Sequence, residues 1–152
     1  MRKNVIKILT FVLMFFICAC GKSEVSEQKE IAVYNTNEDA TAFEVKKAEI
    51  DQITPEKVLH EIIMNNVLTE EIEILDFQTL EVDGEDAIEI DFNDVFSQYL
   101  SGKGSTGEYY CLGSVCNTFL DAYDCELIKI TVAGEELATG HNVYPNYMGK
   151  FE

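Results

Sequence analysis

TLEVDGEDAIEIDF (residues 79–92) is the stretch of sequence that decides the fold. Apolar and acidic side chains alternate over residues 87–92, so this segment predicts a strand with one buried face and one acidic face. Asp83 and Gly84 precede it and form a turn pair that tolerates positive φ. Together these features predict a β-hairpin over residues 76–92.

Two amphipathic helices are predicted on either side of this hairpin in the sequence. Thr54 followed by Pro55 has the pattern of a hydroxyl N-cap with proline at the first helical position. Aliphatic side chains at helical spacing follow and form one apolar stripe. The second helix is predicted over residues 106–123, where Ser105 and Glu108 have the spacing of a capping box.

Further strands are predicted on both sides of these elements. Residues 31–36 and 41–50 form one candidate strand pair, and residues 127–134 form another alternating strand. Residues 93–100 predict a short helical turn, and residues 141–152 form an aromatic, loop-like tail. The resulting order, β(β)-α-β-β-α-β, predicts an α+β fold: a small, mostly antiparallel sheet with two amphipathic helices on one face.

The N-terminus has the pattern of a bacterial lipoprotein signal peptide. A basic start precedes an apolar run, residues 8–19, that is too short to span a bilayer comfortably. The sequence Ile-Cys-Ala-Cys at residues 17–20 resembles a lipobox. The resemblance implies cleavage before Cys20 and a diacylglyceryl group on its sulfur. An uncleaved membrane helix is the alternative, and a C-x-C metal site is disfavoured because Cys18 lies inside the apolar run.

The chain is therefore divided into a signal peptide (1–19), a lipidated cysteine with a flexible tether (20–30) and a single domain (31–152). Its formal net charge is -17, and removal of residues 1–19 leaves -20 because three basic residues are lost. Such acidity argues against a nucleic-acid partner, which requires a basic face. Anionic lipid would also repel the domain, so the lipid group must supply the anchoring.

Three cysteines remain in the mature domain, and their redox state is open. Cys111 and Cys116 lie on one predicted helix and cannot pair with each other without breaking it. Reduced, partly buried thiols are favoured, and a Cys116–Cys125 or a Cys111–Cys125 disulfide is the alternative. A thiol redox protein would require an exposed cysteine of low pKa.

Metal and catalytic motifs do not stand out. His60 and His141 have no partner at metal-ligand spacing, and the acidic segments 83–86 and 91–94 do not fit a calcium loop. No nucleophile-and-base signature is present in the sequence. The chain is thus predicted to be a non-enzyme with no metal and no cofactor other than the diacylglyceryl group on Cys20.

Partner-binding features are predicted in two places. The tail aromatics form a candidate interaction patch if exposed and cap the sheet if packed down; they are Tyr144, Tyr147 and Phe151. Edge strands at residues 31–36 or 128–133 are a second route to assembly, by strand addition.

Four segments in order resemble the GerMN domain of sporulation and spore germination proteins. The first is TPEKVLHEIIMNNV (54–67), a proline-started helix with paired aliphatics, and the second is DGEDAIEIDFNDVF (83–96), the hairpin. The third is GSVCNTFLDAY (113–123), a helix with a threonine-aliphatic signature, and the fourth is IKITVAGEE (128–136), a strand. The resemblance covers residues 31–141.

The resemblance implies a non-catalytic protein. Family members are often lipoproteins or membrane-tethered proteins outside the cytoplasmic membrane, some support complex assembly during sporulation, and the fold resembles ring-building modules of envelope machines. We therefore expect an extracytoplasmic, membrane-anchored interaction or assembly module with envelope-protein partners and a capacity to form oligomers. The alternative is a lipoprotein that binds a cell-wall component or small molecule, which a deep pocket lined by aromatics would favour.

Overall fold

A computed structural model describes residues 28–152 of the chain. The predicted signal peptide (1–19) and the lipidation site Cys20 lie outside these residues, as does most of the predicted tether (20–30). The first strand begins at Lys29, so the last two residues of the predicted tether belong to the folded domain.

The elements confirm the α+β class and most of the predicted order. Three helices and seven strands follow one another as β-β-α-β-β-α-α-β-β-β within the described residues. They are β1 (Lys29–Thr36), β2 (Phe43–Ile50), α1 (Pro55–Met64), β3 (Ile74–Val82), β4 (Glu85–Phe92), α2 (Asp94–Ser101), α3 (Gly104–Tyr123), β5 (Leu127–Val132), β6 (Glu135–Ala138) and β7 (Val143–Tyr144).

The strands form two sheets, where the sequence predicted one. β1 and β2 make an antiparallel pair of their own, and the other five strands form a sheet in the order β3-β4-β5-β6-β7. Within that sheet only β4 and β5 are parallel. A parallel pair needs a long crossover connection, which α2 and α3 supply here.

The β-hairpin predicted over residues 76–92 is confirmed. β3 and β4 pair antiparallel from Val82 opposite Glu85 onward, and Asp83 (φ 55°) and Gly84 (φ 91°) turn the chain between them in the left-handed region. The predicted alternation on β4 also holds, because Ile88, Ile90 and Phe92 are buried at 2% exposure or less.

Helix α3 differs from the prediction in its surroundings. Every residue from 111 to 120 is buried, so this helix has no solvent face in that stretch and is not amphipathic there. The reason is its position: β1 covers one side of α3, while β5, α1 and α2 pack against other parts of it. The amphipathic character predicted for α3 is therefore wrong in detail, because α3 lies between the two sheets.

The predicted capping box at the start of α3 is also wrong. The helix begins at Gly104, its N-cap is Lys103, and no side chain caps it. Glu108 instead lies inside the helix and is 2% exposed, with its carboxylate turned toward the β6–β7 segment. At α1 the prediction is confirmed, because the Thr54 hydroxyl accepts the Lys57 N–H and Pro55 occupies the first turn.

Gly113 allows the closest approach of two aromatic rings to α3. A Cβ atom placed at this position would lie 2.5 Å from the Phe43 ring of β2 and 2.9 Å from the Phe151 Cβ of the tail. Real Cβ contacts are not this short, so glycine is required here by its neighbours and not by its backbone angles.

Replacement of Gly113 by alanine should therefore destabilise the protein. Alanine normally favours a helix interior over glycine by about 1 kcal/mol, but overpacking costs about 1–3 kcal/mol, so we expect a net loss of about 1 kcal/mol in the free energy of unfolding. Urea unfolding of Gly113→Ala measures this difference. Gly102→Ala is the matched control, because its Cβ would meet only ordinary contacts at 3.6 Å or more, and we expect little change there. A stabilised Gly113→Ala protein would contradict the packing described here.

Candidate functional site

The buried polar side chains of α3 hold the chain segments around it. Thr118 accepts the main-chain N–H of Tyr34 at 3.0 Å and donates its hydroxyl to the Ser114 carbonyl at 2.7 Å. Asn117 donates to the Phe151 carbonyl at 3.0 Å and accepts the Phe151 N–H at 2.9 Å. One helix thus fixes both the first strand and the end of the tail.

Glu108 performs the same task for the β6–β7 segment. Its Oε1 accepts hydrogen bonds from the hydroxyls of Thr139 and Tyr144, both at 2.8 Å. Burial raises the pKa of Tyr144, and the hydrogen bond to Glu108 raises it further. The Glu108 Oε2 atom is buried without a hydrogen-bond partner among the described residues.

The tail aromatics of the predicted patch are engaged within the chain. Tyr144 bonds to Glu108, and Tyr147 donates to Glu89 on the outer face of the sheet, which raises the Tyr147 pKa to about 12. The same hydrogen bond, with a smaller part from Gln78, lowers the pKa of Glu89. The Phe151 ring lies 5.3 Å from that of Tyr109, centroid to centroid.

All three side chains are half-buried, and each contacts a different part of the domain. Tyr144, Tyr147 and Phe151 therefore pack against the domain and do not form an exposed interaction patch. Their contacts attach the tail to the domain, and Met148 adds a β-bridge with Ile128 of β5.

The three cysteines of the domain are free thiols in the structure, as the favoured interpretation had it, and neither alternative disulfide, Cys116–Cys125 or Cys111–Cys125, is formed. Cys116 is fully buried in α3, and Cys125 lies beyond its end, half-buried. Seven helical residues after Cys116 cover about 10 Å of helix axis, more than the Cα separation that a disulfide allows.

Burial also disfavours the reactive thiolate form of these cysteines. It raises the pKa of Cys111 to about 12 and the pKa of Cys116 further still. Burial likewise raises the pKa of Cys125, with the neighbouring carboxylates of Asp86, Glu126 and Asp124 acting in the same direction. A redox cysteine needs the opposite shift, so the thiol redox reading has no support in this geometry.

Metal-ligating side chains do not converge in the described part of the chain. Residues 28–152 contain no group of three or more His, Cys, Asp and Glu side chains arranged to hold a metal ion. His60 and His141 are both exposed, on α1 and in the loop before β7.

The concavities of the domain are small or open. One of about 220 Å³ lies between the β1–β2 turn and α3 and has Tyr110 as its single aromatic. Another of about 430 Å³ lies beside β3 and has Tyr123 as its single aromatic. Neither is the deep pocket lined by aromatics that a ligand-binding lipoprotein would present.

The sheet has a free edge where the sequence analysis did not place one. β5 is flanked by β4 on one side and by β6 and Met148 on the other, so the candidate edge at 128–133 is wrong. β3 is the outer strand at the opposite side of the sheet. No signal for this edge was present in the sequence, because the order of strands in a sheet depends on contacts between distant segments.

The comparisons bear on the fold. No protein-family model and no curated protein matches the sequence. Among solved structures, the tandem GerMN domains of the sporulation protein GerM from Bacillus subtilis match with a TM-score of 0.52 at 17% sequence identity. The chain has the GerMN fold. The match covers 86% of this chain and 48% of the other, so the chain spans about half the length of that structure.

A second structure is a Clostridium perfringens protein described as a lipoprotein. It matches with a TM-score of 0.45 at 14% identity and covers 81% of this chain and 88% of its own. A likeness at that level does not establish a shared fold, so the GerMN fold rests on the first structure.

Exchange of single amide hydrogens should separate the two attachments made by α3. Asn117→Ala removes the partner of the Phe151 N–H, and we expect that amide to exchange faster while the Tyr34 amide stays protected. Thr118→Val should give the reverse pattern. Each buried group left without a partner should lower the free energy of unfolding by about 1–3 kcal/mol. Equal exchange at both amides in both variants would contradict these separate roles.

Alkylation of the native protein should follow thiol burial. At pH 8 we expect iodoacetamide to modify Cys125 slowly, and to modify Cys111 and Cys116 only after unfolding in urea. Peptide mapping of the modified sites measures this. Rapid native modification of Cys116 would contradict its burial at 0% exposure.

Proposed function

We propose that this protein is a non-catalytic interaction or assembly module, anchored by lipid to the outer face of the cytoplasmic membrane, that supports an envelope complex formed during sporulation. The observation that carries the proposal is the GerMN fold, since the solved structure with this fold belongs to a sporulation protein. Fold alone does not determine function, so the proposal also needs support from the residues of this chain.

The use of the polar side chains supports a non-catalytic role. Glu108, Asn117 and Thr118 could serve chemistry elsewhere, but here they bind main-chain or hydroxyl groups of their own chain. Burial raises the pKa of each of the three cysteine thiols, which disfavours the thiolate that nucleophilic chemistry requires. Because these buried polar side chains form hydrogen bonds that hold the fold together, we infer that the domain acts through its surface and not through a reaction centre.

The proposed anchor is the diacylglyceryl group on Cys20. Among residues 28–152, none of the helices has the length and apolar character needed to cross a bilayer. The folded domain begins at Lys29, nine residues after Cys20, and an extended segment of that length reaches about 30 Å. The proposed lipid group would therefore hold the domain close to the membrane surface.

Metabolic labelling tests the anchor. Cells of the source bacterium expressing the wild-type chain should incorporate labelled palmitate into it and retain it in the membrane fraction. Cys20→Ala should abolish both, because no other thioether site is proposed. Cys18→Ala is the matched control, since Cys18 would be removed with the signal peptide and its loss should change neither result. Label that stays on Cys20→Ala would refute the anchor.

Cross-linking in cells tests the assembly role. Membrane co-purification after cross-linking, compared between growing and sporulating cells, should capture a defined set of envelope proteins in sporulating cells alone. The full-length wild-type chain and Cys20→Ala are compared side by side, because loss of the anchor should reduce capture. Capture of the same proteins in both growth states would separate the assembly role from sporulation, and capture of none would contradict the role itself.

A further inference from the structure

β3 presents unpaired main-chain groups at the edge of the five-stranded sheet. The carbonyls of Asp86 and Phe92 accept hydrogen bonds from the Glu126 and Ala133 N–H groups, on the β5 side of β4. The main-chain N–H and C=O groups of even-numbered β4 residues therefore point toward β5, and those of odd-numbered β4 residues point toward β3. In the β3–β4 register the odd-numbered β4 residues lie opposite even-numbered β3 residues, so the main-chain groups of even-numbered β3 residues bond to β4. Because ladder bonds alternate along a strand, the N–H and C=O groups of residues 77, 79 and 81 point outward.

Within residues 28–152, this edge lacks three of the usual protections against strand addition, namely proline, lysine and a covering strand. No hydrogen bond within the described part of the chain reaches the outward groups of Phe77, Thr79 or Glu81. β3 has nine residues and contains no proline and no lysine, which are common blocking residues on edge strands. Its one irregularity is the register shift between Ile74 and Asp76, at the beginning of the strand.

The charge around the edge indicates what kind of strand it would accept. β3 carries Asp76 and Glu81 and no lysine or arginine, and among the described residues Lys129 of β5 is the one cation that lines the same outer-face concavity as Asp76. On the outer face Asp76 lies directly opposite Asp91, an unfavourable pairing of like charges. Asp91 is compensated by the Thr131 hydroxyl at 2.6 Å and the Gly134 N–H at 2.9 Å, whereas Asp76 is exposed on the edge strand.

We propose that the β3 edge binds a basic, extended segment of another polypeptide, which adds to the sheet as a further strand. The outward main-chain groups would bond to the added backbone, and basic side chains on the outer face would lie beside Asp76. A second copy of this chain fits poorly, because β3 against β3 would bring together two acidic strands that contain no lysine, arginine or histidine. The inference deepens the proposed function by naming the chemistry of the partner.

A pair of synthetic peptides tests the proposal directly. One is a nine-residue peptide of alternating lysine and valine, and the other has glutamate in place of lysine. The full-length chain is purified in detergent micelles, and amide hydrogen exchange is followed residue by residue. We expect the lysine peptide to slow exchange at Phe77, Thr79 and Glu81 by at least about tenfold. Gln78 and Leu80 should change little because they already pair with β4, and the glutamate peptide should have no effect.

A third peptide separates strand addition from simple charge attraction. It has the lysine and valine sequence with every second backbone nitrogen methylated, so it keeps the charge but cannot complete a ladder on its methylated side. Two such peptides, methylated in alternate registers, cover both orientations of the ladder. We expect at least one of them to lose the protection at residues 77, 79 and 81. Equal binding of the lysine peptide and both methylated peptides would overturn the proposal.

Two variants test the same edge from the side of the protein. Thr79→Pro removes an outward N–H and should abolish protection, since proline is tolerated at sheet edges but blocks the ladder there. Asp76→Lys leaves the backbone intact and should weaken binding of the lysine peptide by about tenfold or more. If Thr79→Pro does not fold, the affinity of Asp76→Lys for the lysine peptide still tests the proposal. Unchanged affinity in Asp76→Lys, or protection confined to β2, would overturn the proposal.

Cell experiments separate this inference from the proposed function. If envelope proteins co-purify with the wild-type chain and equally with Asp76→Lys, the assembly role stands and the β3 edge inference fails. If the peptide results hold but no envelope protein is captured from cells, the edge inference stands and the assembly role fails.

Discussion

The fold depends on the enclosure of α3. A helix that is buried from residue 111 to residue 120 cannot leave its polar side chains to water, so each of them needs a partner inside the chain. Thr118 and Asn117 find these partners in the main chain of β1 and of the tail. The same bonds that satisfy the helix therefore determine where the rest of the chain lies, and Gly113 leaves room for the two rings that close over it.

Local patterns predicted the elements well, and the reasons are physical. The hairpin could be predicted because Asp83 and Gly84 set the turn and the alternation over residues 87–92 set the buried face. The start of α1 could be predicted from Thr54 and Pro55 because capping is a local interaction. These signals need only neighbouring residues, so they do not depend on how the domain is assembled.

Properties that depend on distant partners could not be predicted in this way. The enclosure of α3 depends on β1, whose Tyr34 lies 84 positions before its partner Thr118. Glu108 had the spacing of a cap and became a buried anchor for Thr139 and Tyr144, which come more than thirty residues later. The free edge of β3 was hidden for the same reason, because strand order in a sheet is not encoded by the strand itself. The acidic composition of residues 58–102 was visible in the sequence, but it indicated a basic partner only once β3 was known to lie at the edge of the sheet.

The long separations within this domain have a consequence for how it folds. β1 is synthesised first but has no sheet or helix to cover until α3 has formed, and β4 must wait for α2 and α3 before it can pair with β5. Contacts between distant positions slow folding, because a large loop must close before any of them stabilises the chain. The β3–β4 hairpin and the helices are local enough to form early, whereas closure of β1 and β2 over α3 is the late step. Until that closure the apolar surface of α3 is open to solvent, so the newly made chain has its greatest tendency to aggregate when it is almost complete.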